Sequence, residues 1–248
     1  KDNFSVYCVD NLITGQKKNI EDLLSNSNFK FIQHDVTKPL KIDQKLDCIF
    51  HLASPASPNK HNSNSYINKP TETLLANSIG TYNLLQLALK TDAKFLYTSS
   101  SEVYGDPKVS PQREDYWGNV NPNGIRSVYD EGKRFSEAMI MSYVRTYELD
   151  ARIIRVFNTY GPKMAKDGRV IPDFITQALS GLPITVYGDG KQTRSFCFID
   201  DMIDGLKKAM FSDTKGEVIN LGNPNEMTIL DLAKLIKDQT LIFSIAIK

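Results

Sequence analysis

Histidine and cysteine are scarce, three of each in 248 residues. His34, His51 and His61 form no pair at metal-ligand spacing, so the sequence gives no ground for a zinc centre, and no metal is expected. Cys8, Cys48 and Cys197 are odd in number and widely separated, and the first two sit inside apolar, strand-like runs. That pattern reads as buried thiols in a reducing compartment rather than a disulfide framework. An excess of one charge is also missing: 30 Lys and Arg face 29 Asp and Glu, a formal charge of +1. Such a balance argues against a nucleic-acid groove or a membrane-surface patch. No apolar run reaches the length of a membrane span, and the start, KDNFSVYCVD, lacks the basic lead and apolar core of a secretory signal, so cytoplasm is the expected location. What remains, 41% hydrophobic and 24% charged residues, suits a soluble globular protein with one sizeable core and a smaller lobe.

Strand-like and helix-like patterns alternate through the first half. FSVYCVD (4–10), FKFIQHDV (29–36), DCIFHLAS (47–54) and AKFLYTSS (93–100) read as strands, the first two with an acid at or near the end. Between the last two, residues 71–90 place Leu74, Leu75, Ile79, Leu84, Leu85 and Leu89 at helical intervals. This order predicts an α/β fold with a doubly wound parallel sheet. A polar stretch rich in Pro and Gly, 106–126, reads as an ordered loop over a site. Residues 129–148 then read as a helix and ARIIRVFNTYG as the next strand. Beyond Gly161 the elements shorten, giving an expected division into a core domain, 1–161, and a small lobe, 162–248, interleaved with late core elements. A dinucleotide fold needs a glycine-rich turn before its ribose-binding acid. Gly15 follows Asp10, so the first strand and helix are expected to belong ahead of residue 1, and the end, DQTLIFSIAIK, shows no closing element and is expected to be incomplete too.

The chemistry gathers around two short stretches. Tyr129 and Lys133 in YDEGK are one helical turn apart and share a face. An ammonium beside a phenol favours the phenolate, which could take a hydroxyl proton while a nicotinamide takes the hydride. A surface helix carries the same spacing without function, but SSSEVYGD ends a strand just upstream, and Ser100 there could hold the same hydroxyl. Glu102, two residues on, reads equally as a solvated loop acid or as a group that orients or protonates a sugar intermediate. Asp10 reads as a ribose clamp in preference to a turn residue, whereas Asp35 is open between an adenine acceptor and a loop acid. Arg169 and Arg194 are possible diphosphate donors, by the match of guanidinium to phosphate oxygens, or plain surface charges. His51, in an apolar strand, reads as a hydrogen-bonded structural group.

These residues make the chain recognisable. VYCVDNLITGQKKNI, HLASPASP, TSSSEVYGDP, EDYWGNVNPNG, SVYDEGKRFSEAM, RVFNTYGPKM, DGRVIPDFI, QTRSFCFIDDMIDG and NLGNP together resemble the extended short-chain dehydrogenase/reductase superfamily, and within it the UDP-glucuronate decarboxylases. The resemblance implies a Rossmann-like domain, a recycled NAD and a UDP-sugar substrate. It casts Tyr129 as the base at the sugar 4-hydroxyl, Lys133 as its support, Ser100 as the hydrogen bond to the substrate oxygen and Glu102 as the group for ring handling or C5 protonation. The 4-keto sugar would then lose carbon dioxide and be reduced again, giving UDP-xylose. It assigns Asp10, Asn11, Asp35, Val36, Leu52, Ala53, Ser54 and Asn77 to the cofactor, with Tyr129 and Lys133. Ser101, beside Ser100 and Glu102, together with Asn158, Arg169, Tyr187 and Arg194, goes to the substrate nucleotide. Ser101 stands where sister 4,6-dehydratases carry Asp, and Glu102 where 4-epimerases carry a small apolar residue, which favours decarboxylation over those alternatives. A silent nucleotide-binding chain is the other alternative. Relatives also dimerise through two helices per subunit, which correspond to 71–90 and 129–148.

Overall fold

The computed structural model describes residues 4–240 and 245–247. In chain order the strands of the first half are β1 (Val6–Asp10), β2 (Phe29–Gln33), β3 (Cys48–His51), β4 (Lys94–Ser100) and β5 (Ala151–Val156). Among them lie α1 (Pro70–Leu75), α2 (Thr81–Thr91) and α3 (Ser127–Tyr147). Next come β6 (Thr159–Tyr160), α4 (Val170–Leu179), β7 (Ile184–Val186), β8 (Thr193–Ser195), β9 (Cys197–Phe198) and α5 (Ile199–Phe211). The last elements are β10 (Val218–Leu221), β11 (Glu226–Thr228), α6 (Ile229–Thr240) and β12 (Ile245–Ile247). Two compact units result, one taking the chain up to Arg155 together with Lys208–Ile219, the other Val156–Lys207 together with the chain from Asn220.

The first unit carries the expected α/β layering. β1 and β2 pair in parallel, Val6 opposite Phe29 and Asp10 opposite Gln33. β3 and β4 also run parallel, within a separate sheet of order β10-β5-β4-β3. β4 is buried on both faces at Phe95, Leu96 and Tyr97, as a central strand covered by helices on either side must be. Leu84, Leu85 and Ala88 of α2 and Ile140 of α3 pack with Phe95, Tyr97 and Ile153 in one core. The helical run expected over 71–90 contains a π turn, Ala76–Gly80, between α1 and α2. That turn brings Asn77 and Gly80 inside. The run stops where Asp92 turns left-handed, φ 55°, and Ala93 N–H closes on the Ala88 carbonyl at 3.0 Å.

The long loop after β4 is pinned at its base. A bridge joins Gly105 to Asn119, whose N–H donates to the Tyr104 carbonyl at 2.8 Å while Asp106 N–H donates back to the Asn119 carbonyl at 3.0 Å. Gly105 has φ +65°, and a β-carbon there would lie 2.2 Å from the Asn119 carbonyl oxygen. Gly105→Ala is therefore expected to destabilise the protein by about 2–4 kcal/mol, seen as a lowered melting temperature, with the adjoining turn that holds Glu102 displaced.

In the second unit α4 and α6 pack Ile171, Phe174, Leu232 and Ala233 over Ile184 and Val186 of β7. β8 pairs antiparallel with β11, and β6 parallel with β9. In the terminal stretch, β12 pairs in parallel with β7, Ile245 opposite Ile184. Three residues are too short to show a period, so the pairing depends on the neighbouring strand. The LIFS segment ahead of it lies outside the described residues.

Candidate active site

Lys133 is buried on the α3 face turned towards β4, where its Nζ donates to the Thr98 carbonyl at 2.8 Å. The same Nζ stands 4.7 Å from the centroid of the Tyr97 ring and 5.6 Å from that of Tyr129. Burial draws the ammonium down to about 7, with Glu137, one turn further on, opposing the fall. Tyr129 is buried too, its ring stacked on Tyr66 at 4.8 Å with 12° between planes. At the end of β4, Ser100 Oγ accepts the Glu102 N–H at 3.2 Å and caps the tight turn Ser101–Tyr104. Glu102 forms an ion pair with Arg126, the residue just before α3. Two ties thus bring the four expected catalytic residues together, Lys133 to Thr98 and Arg126 to Glu102.

A second network stiffens this arrangement from behind. Ser99 Oγ donates to Glu137 Oε1 at 2.5 Å, and Arg155 clasps the same carboxylate through Nε at 3.0 Å and Nη2 at 2.7 Å. Arg155 also reaches the Tyr104 hydroxyl at 2.8 Å and the Glu114 carbonyl at 3.1 Å. Burial pulls the guanidinium down, but its bonds to Glu137 outweigh that and hold its pKa above the usual value. One buried pair therefore links α3, β5, the turn at 101–104 and the long loop.

At the other edge, Asp10 ends β1 with Oδ1 accepting the Leu12 N–H at 2.7 Å. A β-carbon on Gly15 would lie 2.8 Å from its Oδ2, so glycine leaves that second oxygen room. Asn11 Oδ1 accepts the Ile13 N–H at 3.0 Å. Burial raises the Asp35 carboxyl, but hydrogen bonds from Thr37 and Asn11 carry it below the ordinary value. Val36 packs in the core, and its carbonyl accepts from Asn83 at 2.9 Å. Leu52 is exposed and Ala53 half-buried, while Ser54 Oγ accepts from Asn77 Nδ2 at 2.9 Å. Asn77 is fully buried: Nδ2 also meets the Thr73 carbonyl at 2.9 Å and Oδ1 accepts the Tyr97 hydroxyl at 2.8 Å. It is thus a hub beneath the HLAS loop. His51 bonds Thr81 Oγ1 at 3.1 Å and burial lowers it to about 3, in keeping with a structural group.

The pattern of the whole sequence agrees with this geometry, matching the family described as NAD dependent epimerase/dehydratase over residues 1–222. The chain belongs to that family. It is similar to UDP-glucuronic acid decarboxylase 2 of Arabidopsis thaliana, 51% identical over 94% of this chain and 51% of that protein. It is also similar to UDP-glucuronic acid decarboxylase 1 of Danio rerio, 50% identical over 95% of the chain and 55% of the relative. The chain therefore spans about half the length of these curated relatives. Among solved structures, UDP-glucuronic acid 4-epimerase from Bacillus cereus in complex with NAD superimposes with a TM-score of 0.85 at 28% identity, covering 100% of this chain and 80% of that one. The Rossmann-like fold of the epimerase/dehydratase family is thereby established for this chain.

Within this family frame, the second unit holds the remaining expected residues. Asn158 accepts the Cys197 N–H on its carbonyl at 2.8 Å and reaches the Ser195 carbonyl through Nδ2 at 3.4 Å. Arg169, just ahead of α4, clasps Asp167 with Nε and Nη2, each at 2.9 Å. Tyr187 is 73% exposed, and Arg194 bonds the carbonyl of its neighbour Thr193 at 2.7 Å. Sequence reading passed over Arg126, Tyr66, Glu137 and Arg155. Arg126 carried a usable signal, three residues before Tyr129 at helical spacing.

Proposed function

We propose that this chain carries the NAD-binding and catalytic part of a UDP-glucuronate decarboxylase, which converts UDP-glucuronate to UDP-xylose. The observation that supports this most is the grouping of Tyr129, Lys133 and Ser100 with Glu102, in a chain half identical to proteins named for that activity. The residues present suit NAD: Asp10 ends a parallel strand with one carboxylate oxygen bonded to Leu12 and the other beside Gly15, the arrangement a ribose diol needs. Asp10 and Asn11 would hold the adenosine ribose, Asp35 and Val36 the adenine, and the Leu52–Ser54 loop, supported by Asn77, the remainder. When bound, NAD supplies the hydride acceptor that makes the C4 hydroxyl a ketone, so that the carboxylate beta to it can leave as carbon dioxide, and it then gives the hydride back.

The chain's own residues move and hold protons. Tyr129 takes the proton of the 4-hydroxyl as it is oxidised and returns it on reduction. Lys133 stabilises the phenolate that accepts it, and its low pKa lets the pair share one proton near neutrality. Ser100 holds the reacting oxygen, and Glu102 stands by for the proton at C5. Ser101, Asn158, Arg169, Tyr187 and Arg194 are assigned to the UDP moiety. Incubation of the protein, expressed from its full gene with NAD, with UDP-glucuronate and in parallel with UDP-glucose tests the assignment. A product lighter by one carbon dioxide from UDP-glucuronate alone is expected. Epimerised sugar of unchanged mass would replace the reading with a 4-epimerase.

Location in the cytoplasm and homodimerisation belong to the same proposal. No helix among the described residues is long and apolar enough to cross a membrane. Leu74, Ile79, Tyr82 and Phe135 stand exposed on the run from α1 to α2 and on α3, an apolar face suited to a second subunit. Sedimentation is expected to give a dimer, and Phe135→Glu a monomer.

A further inference from the structure

Arg126 is surrounded by more acid and aromatic surface than a helix-capping position needs. Glu102 reaches it from the turn at 101–104. The Tyr66 hydroxyl, from the segment before α1, is buried with no hydrogen bond among the described residues; burial raises that phenol, and the Arg126 charge opposes the rise. From α3 itself comes Asp130, whose neighbour Glu131 is held by Arg134 at 3.5 Å. Asp130 is buried, and its Oδ1 makes no hydrogen bond among the described residues. Burial lifts that carboxyl to about 6, and the Arg126 charge opposes the rise. Meanwhile the Arg126 carbonyl accepts the first α3 amides, Tyr129 N–H at 2.9 Å and Asp130 N–H at 3.1 Å. Backbone and side chain together join Tyr129 and Glu102 to one residue, and Tyr129 carries the stacked Tyr66 ring with it.

Resting on the functional reading above, we infer that Arg126 is a positioning residue, which holds Glu102 at the reacting sugar and Tyr66 against Tyr129, with Asp130 as its buried counter-charge. It acts through Glu102 and Tyr66 and not by touching substrate. Its loss leaves the Glu102 carboxylate without the cation that holds it. Its loss also frees the Tyr66 ring that backs the base.

Steady-state kinetics of Arg126→Gln and Arg126→Lys test the inference. For Gln, kcat is expected to fall about 10–100-fold with KM for UDP-glucuronate within about threefold, because the interaction serves the reacting state. Lys, which keeps the charge but not the planar fork, should recover part of that loss and not all of it. A Gln variant with unaltered kcat overturns the inference, as does one in which KM alone rises, since Arg126 would then be a substrate ligand. Should Gln fail to fold, the Lys variant decides: a wild-type kcat overturns it. Lack of turnover by the unaltered protein rejects the functional reading instead. The lock is then judged in a crystal structure of that protein, where Glu102 and Tyr66 either both meet the guanidinium or do not.

Discussion

Tyr129→Phe is expected to fold, bind NAD and turn over UDP-glucuronate about 10²–10⁴-fold more slowly than the unaltered protein. The ring itself is retained, so the stack on Tyr66 at 4.8 Å survives and the loss falls on one oxygen. Without that oxygen its neighbours do not replace it as base: Lys133 is engaged with the Thr98 carbonyl, and Ser100 accepts from Glu102 N–H. The measurement is single-turnover product formation beside NAD affinity. Retained affinity with lost turnover is the predicted split. A variant that keeps a tenth or more of the wild-type rate would remove Tyr129 from the proton-transfer role.

Lys133→Met should separate catalysis from stability. Activity at pH 7 is expected to drop roughly 10²–10³-fold, because the phenolate loses its cation. The pH profile carries the sharper signature. In the unaltered protein the Tyr129–Lys133 pair must lose one proton to act, and with Lys133 held near 7 by burial, activity should rise as pH passes through about 7. In the Met variant that limb should move up towards the ordinary tyrosine range. Stability moves the other way. A lysine whose folded pKa lies below its unfolded value gives up stability as pH falls from about 10.5 through about 7. Replacing it by Met removes that loss, so the variant should melt no lower than wild type at pH 7 and higher at pH 6. A Met variant that melts lower at pH 6 would mean the bond to Thr98 outweighs the cost of burying the charge.

Much of this arrangement was legible because local periodicity carries it. Tyr129 and Lys133 share a face whatever the tertiary structure, and Ser100 and Glu102 follow a strand with the apolar run Phe95–Tyr97. Asp10 was readable for the same reason, as an acid closing an apolar run. What stayed hidden depends on where separate elements meet. Nothing in the aperiodic stretch before α1 marks Tyr66 as the ring beneath Tyr129. The clasp of Arg155 on Glu137 joins a strand to a helix, and either residue alone resembles a surface charge. The resemblance assigned Asn77 to the cofactor, and only the fold shows the π turn that places its amide on Ser54, Thr73 and Tyr97. The glycine at 105 could be noticed in sequence, but its need for a positive φ appears only once Asn119 is seen against it.

The central claim, oxidation and return at one carbon with loss of carbon dioxide between, is tested most directly with UDP-glucuronate deuterated at C4. The protein from its full gene, given this substrate and a stoichiometric amount of NAD, is expected to release UDP-xylose that still carries the deuterium. A lighter sugar without deuterium, or a sugar of unchanged carbon count, would contradict the account.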